Sequence, residues 1–136
     1  TLANAMDVGA PSNLERLRYL YPDQKIHQAI LKIESVGDDE IRRTIPVTLD
    51  NYNEVICPHT ACGMVALERL RDAGEKGDWC VVATAHPAKF ETVVEPLLHR
   101  AIAVPEALQQ LLDRPTFAAT LAPDLNALET VLASTR

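Results

Sequence analysis

Residues 81–90 read VVATAHPAKF, an apolar run that stops at a hydroxyl, an imidazole and, past a proline, an ammonium. Two other stretches combine a Gly or Pro corner with polar groups where a helix is expected to begin: NAMDVGAPSNLER at 4–16 and ICPHTACG at 56–63. Helix N-termini present unpaired N–H groups and partial positive charge, so they suit anionic groups. Ser12, Asn13 and Arg16 could hold a phosphate or carboxylate, onto which a guanidinium forks at two points. Pro87 biases His86 toward an extended conformation that could aim its ring into a pocket. Lys89 could add positive charge to the same region. Each residue has a plainer reading beside this one: helix caps for Ser12 and Asn13, a strand end for Thr84, a solvated ammonium for Lys89. No acid lies three or four residues from Arg16, so a local helical ion pair is not open to it; a pair with Asp7 or simple exposure remains. Asp7 itself reads as an acceptor for backbone N–H groups around Gly9 and Ala10. His59 and Thr60 read as helix caps packed near the wall of a site.

Cys57, His59, Cys62, Cys80 and His86 are ligand types that zinc accepts. Their spacing is not that of a zinc ribbon or finger, and Cys62 falls inside an apolar helix, so no metal site is expected. Lys25, Lys32 and Lys76 lie on ordinary amphipathic or loop sequence.

The elements that must position these groups are mostly helical. Residues 1–11 read as a short extended segment ending in a loop, with Gly9 and Pro11 as breakers. PSNLERLRYLY predicts a helix from Ser12 or Asn13 to the stop at Pro22 and Asp23. DQKIHQAILKIES predicts a second, with Ile26, Ala29, Ile30 and Ile33 on one face. DDEIRRTI predicts a short third, acidic at its start as the helix dipole favours. From Pro46 to Val55 the pattern dissolves into turn-prone residues. A longer helix opens at Pro58 and ends near Gly74. WCVVATA has the look of a strand buried on both faces. Further helices are predicted from Pro87, over 104–112 and over 125–132, and the stretch DRPTFAATLAPD has room for a short extended piece. One or two strands do not make a sheet that stands alone, so partner strands are expected outside these residues.

The chain has 136 residues, enough for one domain and one core, burying roughly 70% of its extended-chain surface if free-standing. Acidic residues outnumber basic ones, 19 to 13, without a basic cluster, which argues against nucleic-acid binding. The longest apolar runs are far too short to span a bilayer, and no signal-peptide pattern opens the sequence. Three cysteines outside any framework spacing point to a reducing cytosol. The sequence opens on Thr1 rather than Met, as a piece of a longer protein would.

Taken together and in order, AMDVGAPSNLERL, CPHTACG and TAHPAKF resemble the C-terminal part of the threonine synthase family. The three motifs cover about a quarter of the chain, and PHTA with TAHPAKF is the most specific pairing. Two departures stand out. The segment between SNLERL and CPHTACG is shorter than in many relatives, where it forms a larger helical insertion. Cys57 stands where relatives commonly carry Asp.

The resemblance implies an α/β fold: residues 1–136 would be the helix-rich C-terminal portion of a fold-type-II pyridoxal-phosphate enzyme, with few strands of its own, belonging to a larger sheet. It implies a cytoplasmic lyase of threonine biosynthesis that converts O-phosphohomoserine and water to threonine and phosphate. Thr84 then faces the pyridine nitrogen of pyridoxal 5'-phosphate, and Ser12, Asn13, Arg16, His86 and Lys89 are the candidates for holding substrate anions. The Schiff-base lysine and the Gly-rich phosphate loop belong to the N-terminal part of the family, and Lys89 is not that lysine. The partners implied are the small-molecule substrate and the remainder of the enzyme chain. These residues alone are expected to be inactive and, where the missing strands leave an apolar face, to self-associate. The rival expectation is a non-catalytic binding or assembly module that is monomeric and melts cooperatively.

Overall fold

A computed structural model describes residues 1–9, 11–22 and 32–134, and of Asn13 the backbone alone. The chain divides into two compact units, 1–103 and 104–136. The first contains the helices α1 (Asn13–Leu20), α2 (Asp38–Tyr52), α3 (Pro58–Asp72) and α4 (Glu91–Leu98). It also has two single-turn 3₁₀ segments, Asn4–Met6 and Pro87–Phe90. The second unit contains α5 (Glu106–Leu112) and α6 (Leu125–Ser134).

α2 begins with Asp38, Asp39 and Glu40 in its first turn, where the helix dipole favours carboxylates. Glu40 accepts from the Gly37 N–H at 3.0 Å, and Asp38 accepts from the Leu2 N–H at 2.8 Å. The sequence pattern suggests that this helix stops before Pro46, yet it runs on to Tyr52. Proline removes one N–H from the ladder and crowds the preceding turn. Ile41, Thr44, Ile45 and Thr48 form one buried face spanning the proline, and burying a side chain the size of isoleucine is worth roughly 1.5–3 kcal/mol. The buried face outweighs the local penalty. Asn53 then closes the helix at φ 55°, its N–H bonded to the Leu49 carbonyl.

α3 packs against α2, and α4 packs against α2 and the Pro87–Phe90 turn. Their shared core consists of Ala3, Ile41, Ile45, Ala61 and Val94, edged by Val55, Ile56, Phe90, Leu97 and Ile102 among others. Arg69, near the end of α3, bonds the Glu34 carboxylate at 2.7 Å, the Ser35 carbonyl at 2.9 Å and the Glu40 carboxylate at 2.7 Å. It thereby fastens the linker ahead of α2 to α3. Gly74, at φ 87°, ends the helix region, a conformation that glycine enters without steric penalty.

Two other expectations change, and a third falls largely outside the described residues. Most of the second predicted helix, residues 23–31, lies outside the described residues, and 32–35 are not helical. Residues 1–9 are not simply extended, because Asn4–Met6 forms a 3₁₀ turn. Residues 79–84 (WCVVAT) run without a ladder partner, and no strand occurs among the described residues. A strand exists only against a neighbour; here Trp79 and Val82 remain 45% and 70% exposed. The described residues are therefore helix-rich, and no α/β character is seen among them. The second unit is helical too, with Leu125, Leu128 and Leu132 of α6 exposed.

Candidate functional site

Cys57, not His59 or Thr60, caps α3. Its Sγ accepts from the Thr60 N–H at 3.5 Å and lies 3.3 Å from the Thr60 hydroxyl. The thiol thus occupies the capping position for which an oxygen is the usual choice. His59 does something else. It is buried, with 8% exposure, and its Nε2 accepts from the Ala5 N–H at 3.1 Å. That nitrogen therefore carries the lone pair and the ring proton sits on Nδ1, which is buried with no partner among the described residues. The ring also leans on Phe90, with centroids 4.9 Å apart. One imidazole thus joins the Asn4–Met6 turn, the start of α3 and the Pro87–Phe90 turn.

His59 also borders an open cavity of about 320 Å³. Met6, His59, Gly63, Leu67, Val81 and Thr84 are among its lining residues. Thr84 is exposed, and its hydroxyl has no hydrogen-bond partner among the described residues. Among the described residues no lysine lines this cavity. Its walls are largely apolar, and the Thr84 hydroxyl, at the end of an extended segment, is one neutral donor among lining residues that also include His59, Trp79 and Cys80.

His86 faces a different space. Its Nδ1 accepts from the Ala88 N–H at 3.2 Å, which leaves the Nε2 edge as the donor of the neutral ring. Together with Glu54, Val55, Arg100 and Ile102 it lines a cavity of about 560 Å³ that Thr84 does not border. Lys89 is exposed on the 3₁₀ turn and borders neither cavity. Arg16 lies in a groove lined by Glu15, Tyr19 and Leu20 of its own helix, and has no hydrogen bond or ion pair among the described residues. Ser12 precedes α1 in helical conformation and makes no side-chain cap, which corrects the expected capping role; its hydroxyl is exposed. The Asn13 side chain lies outside the described residues. Among the described residues Asp7 bonds the nitrogen of Thr1, the first residue of the sequence; Ala10 of the following loop lies outside them. The candidates are thus spread over several surfaces of the first unit.

Among the described residues no group of three or more His, Cys, Asp or Glu is arranged to hold a metal ion. Burial pushes the Cys62 thiol up; it donates to the Pro58 carbonyl at 3.5 Å. No helix among the described residues is long and apolar enough to cross a membrane.

Residues 60–132 match the family described as "Threonine synthase, C-terminal", which is more than half of the chain. The chain belongs to the threonine synthase family. The threonine synthase of Buchnera aphidicola subsp. Acyrthosiphon pisum is 33% identical over 133 residues, covering 97% of this chain and 30% of the relative. That of Escherichia coli K12 is 32% identical over 137 residues with the same coverage. A mouse threonine synthase-like 2 protein is 26% identical over 120 residues. The crystal structure of Escherichia coli threonine synthase superimposes with a TM-score of 0.81 at 31% identity, over all of this chain and 31% of that one. The chain thus spans about 30% of the length of the curated threonine synthases it matches.

Proposed function

We propose that this chain is the C-terminal portion of a cytoplasmic, pyridoxal-phosphate-dependent threonine synthase that converts O-phosphohomoserine and water to threonine and phosphate. The observation that carries the reading is Thr84: a hydroxyl with no partner among the described residues, bordering a cavity with largely apolar walls, in a chain that belongs to this family. The α/β, fold-type-II context of the complete enzyme is part of the same proposal. Support for it comes from the exposed apolar segment 79–84, whose Trp79 and Val82 lack cover.

The cofactor, when bound, supplies the electron sink for carbanion chemistry. The residues here orient it. The Thr84 O–H would donate to the ring nitrogen. Being neutral, it cannot stabilise a full pyridinium as a carboxylate would, and so it keeps the sink moderate. Met6, Leu67, Leu70 and Val81 exclude water from that side of the ring. Ser12, Asn13 and Arg16 are assigned to substrate anions, with the unpaired guanidinium as the strongest of them. His86 and Lys89 are secondary anion contacts, separated from Thr84 as described above. The covalent lysine and the phosphate loop are supplied by the remainder of the enzyme, so these residues alone are inert and self-associate through their uncovered apolar surface. The test is phosphate release from O-phosphohomoserine by the complete polypeptide carrying these residues, with and without added cofactor. Turnover that requires both supports the proposal. A complete, cofactor-loaded protein that releases no phosphate and forms no threonine overturns it.

A further inference from the structure

We infer that Gly63 is a positioning residue for Thr84, setting how closely the segment that carries the hydroxyl approaches α3; the inference rests on the role proposed above for Thr84. Gly63 lies inside α3, where glycine is a poor helix former, and no positive φ requires it there. Its value lies in space. A Cβ placed at Gly63 would meet Val81 Cγ1 at 2.9 Å. Carbon atoms in ordinary contact stay about 3.5–4.0 Å apart. A methyl group there would therefore drive the segment outward by about 0.5–1 Å, or force Val81 out of its rotamer. Val81 is β-branched and stiff at χ1, so turning it aside redirects a methyl group within the cavity it lines together with Thr84.

Thr84 follows Val81 by three residues and precedes the His86–Phe90 turn. That turn is fixed by the His86 bond to the Ala88 N–H and by Phe90 against His59. The hydroxyl is thus held between two contacts. One is anchored by rings and hydrogen bonds; the other exists only because residue 63 has no side chain. Relaxing the second misplaces the donor while leaving the first in place.

The experiment uses the complete cofactor-binding protein in five forms: wild type, Gly63→Ala, Val81→Ala, the double variant and Thr84→Val. Cofactor affinity of the apoprotein, the absorbance of the bound cofactor and the apoprotein Tm are measured for each. Gly63→Ala should weaken cofactor binding by about 2- to 10-fold, the scale of one neutral hydrogen bond, and shift the absorbance in the same direction as Thr84→Val. Its Tm should fall, although alanine is the better helix former. The double variant, lacking Cγ1, should return both readouts to the level of Val81→Ala. If Thr84→Val alters the spectrum but Gly63→Ala does not, the positioning role is wrong and the Thr84 reading stands. If Thr84→Val is silent in both readouts, the Thr84 reading itself fails. If Gly63→Ala does not fold, the double variant decides: recovery supports the close approach, and continued failure overturns it.

Discussion

His59 offers a perturbation whose global and local effects should part company. In His59→Phe the aromatic contact with Phe90 persists, because a ring still sits where the centroids are 4.9 Å apart. The Nε2 acceptor is lost, leaving the partly buried Ala5 N–H unpaired, at a cost of about 1–3 kcal/mol. The buried Nδ1, which has no partner among the described residues, is removed as well, and relieving it returns a similar amount, about 1–3 kcal/mol. The two effects offset, and the net change in global stability is within about 2 kcal/mol. Locally there is no such cancellation, because the Asn4–Met6 turn loses its tie to α3. Amide hydrogen exchange at Ala5 should accelerate by about 2- to 10-fold, corresponding to one hydrogen bond of about 0.5–1.5 kcal/mol. His59→Ala should destabilise by a further ~0.5–1.5 kcal/mol through loss of the ring pair. Because Met6 and His59 border the Thr84 cavity, the loosened turn should also admit water there. Unchanged exchange at Ala5 in His59→Phe would refute the reasoning, since some other acceptor would then be holding that amide.

Two further outcomes follow from the packing and the ion pairs. The Glu40 carboxyl is held below its ordinary value of 4.5 by the Gly37 N–H first and the Arg69 guanidinium second. Its contribution is therefore complete above that pH and is lost as pH falls through the depressed folded value. Melting curves between about pH 5 and pH 3 should fall more steeply for the wild type than for Glu40→Gln; parallel curves would contradict this. Ile45→Ala, at a fully buried position, should cost about 2–5 kcal/mol in denaturant titration, and Ile45→Val about 0.5–1.5 kcal/mol. An alanine penalty under ~1 kcal/mol would place the core elsewhere.

Much of the helical framework was legible because its signals are local. Pro58 opening α3, Gly74 closing it and the acidic start of α2 each act within one turn of chain. Pro46 misled because its penalty is local, whereas the compensating face, Ile41, Ile45 and Thr48, is buried by helices distant in sequence. The apolar run at 79–84 reads as a strand from composition alone, but pairing requires a neighbour that these residues do not include. The Cys57 cap was hidden because a thiol is not a usual capping group. Arg69 left no sequence signal: its partners Glu34 and Glu40 lie some thirty residues away. Gly63 did leave one, since a glycine within a helical pattern invites a reason, and a Cβ there would meet Val81. The motif TAHPAKF drew attention to Thr84, His86 and Lys89, of which Lys89 borders neither cavity. A linear string, however, cannot reveal that a single corner sends its hydroxyl to one cavity and its imidazole to another.

What lies opposite the Thr84 hydroxyl decides the role of this segment. The complete enzyme loaded with cofactor labelled with ¹⁵N at the ring position permits a direct reading by NMR. The wild type should show a neutral ring nitrogen accepting a hydrogen bond, and Thr84→Val should move that resonance to the position of an unbonded neutral nitrogen, with Thr84→Ser staying close to wild type. A ring resonance that is identical in wild type and Thr84→Val, or that reports a fully protonated nitrogen in both, would contradict the central claim.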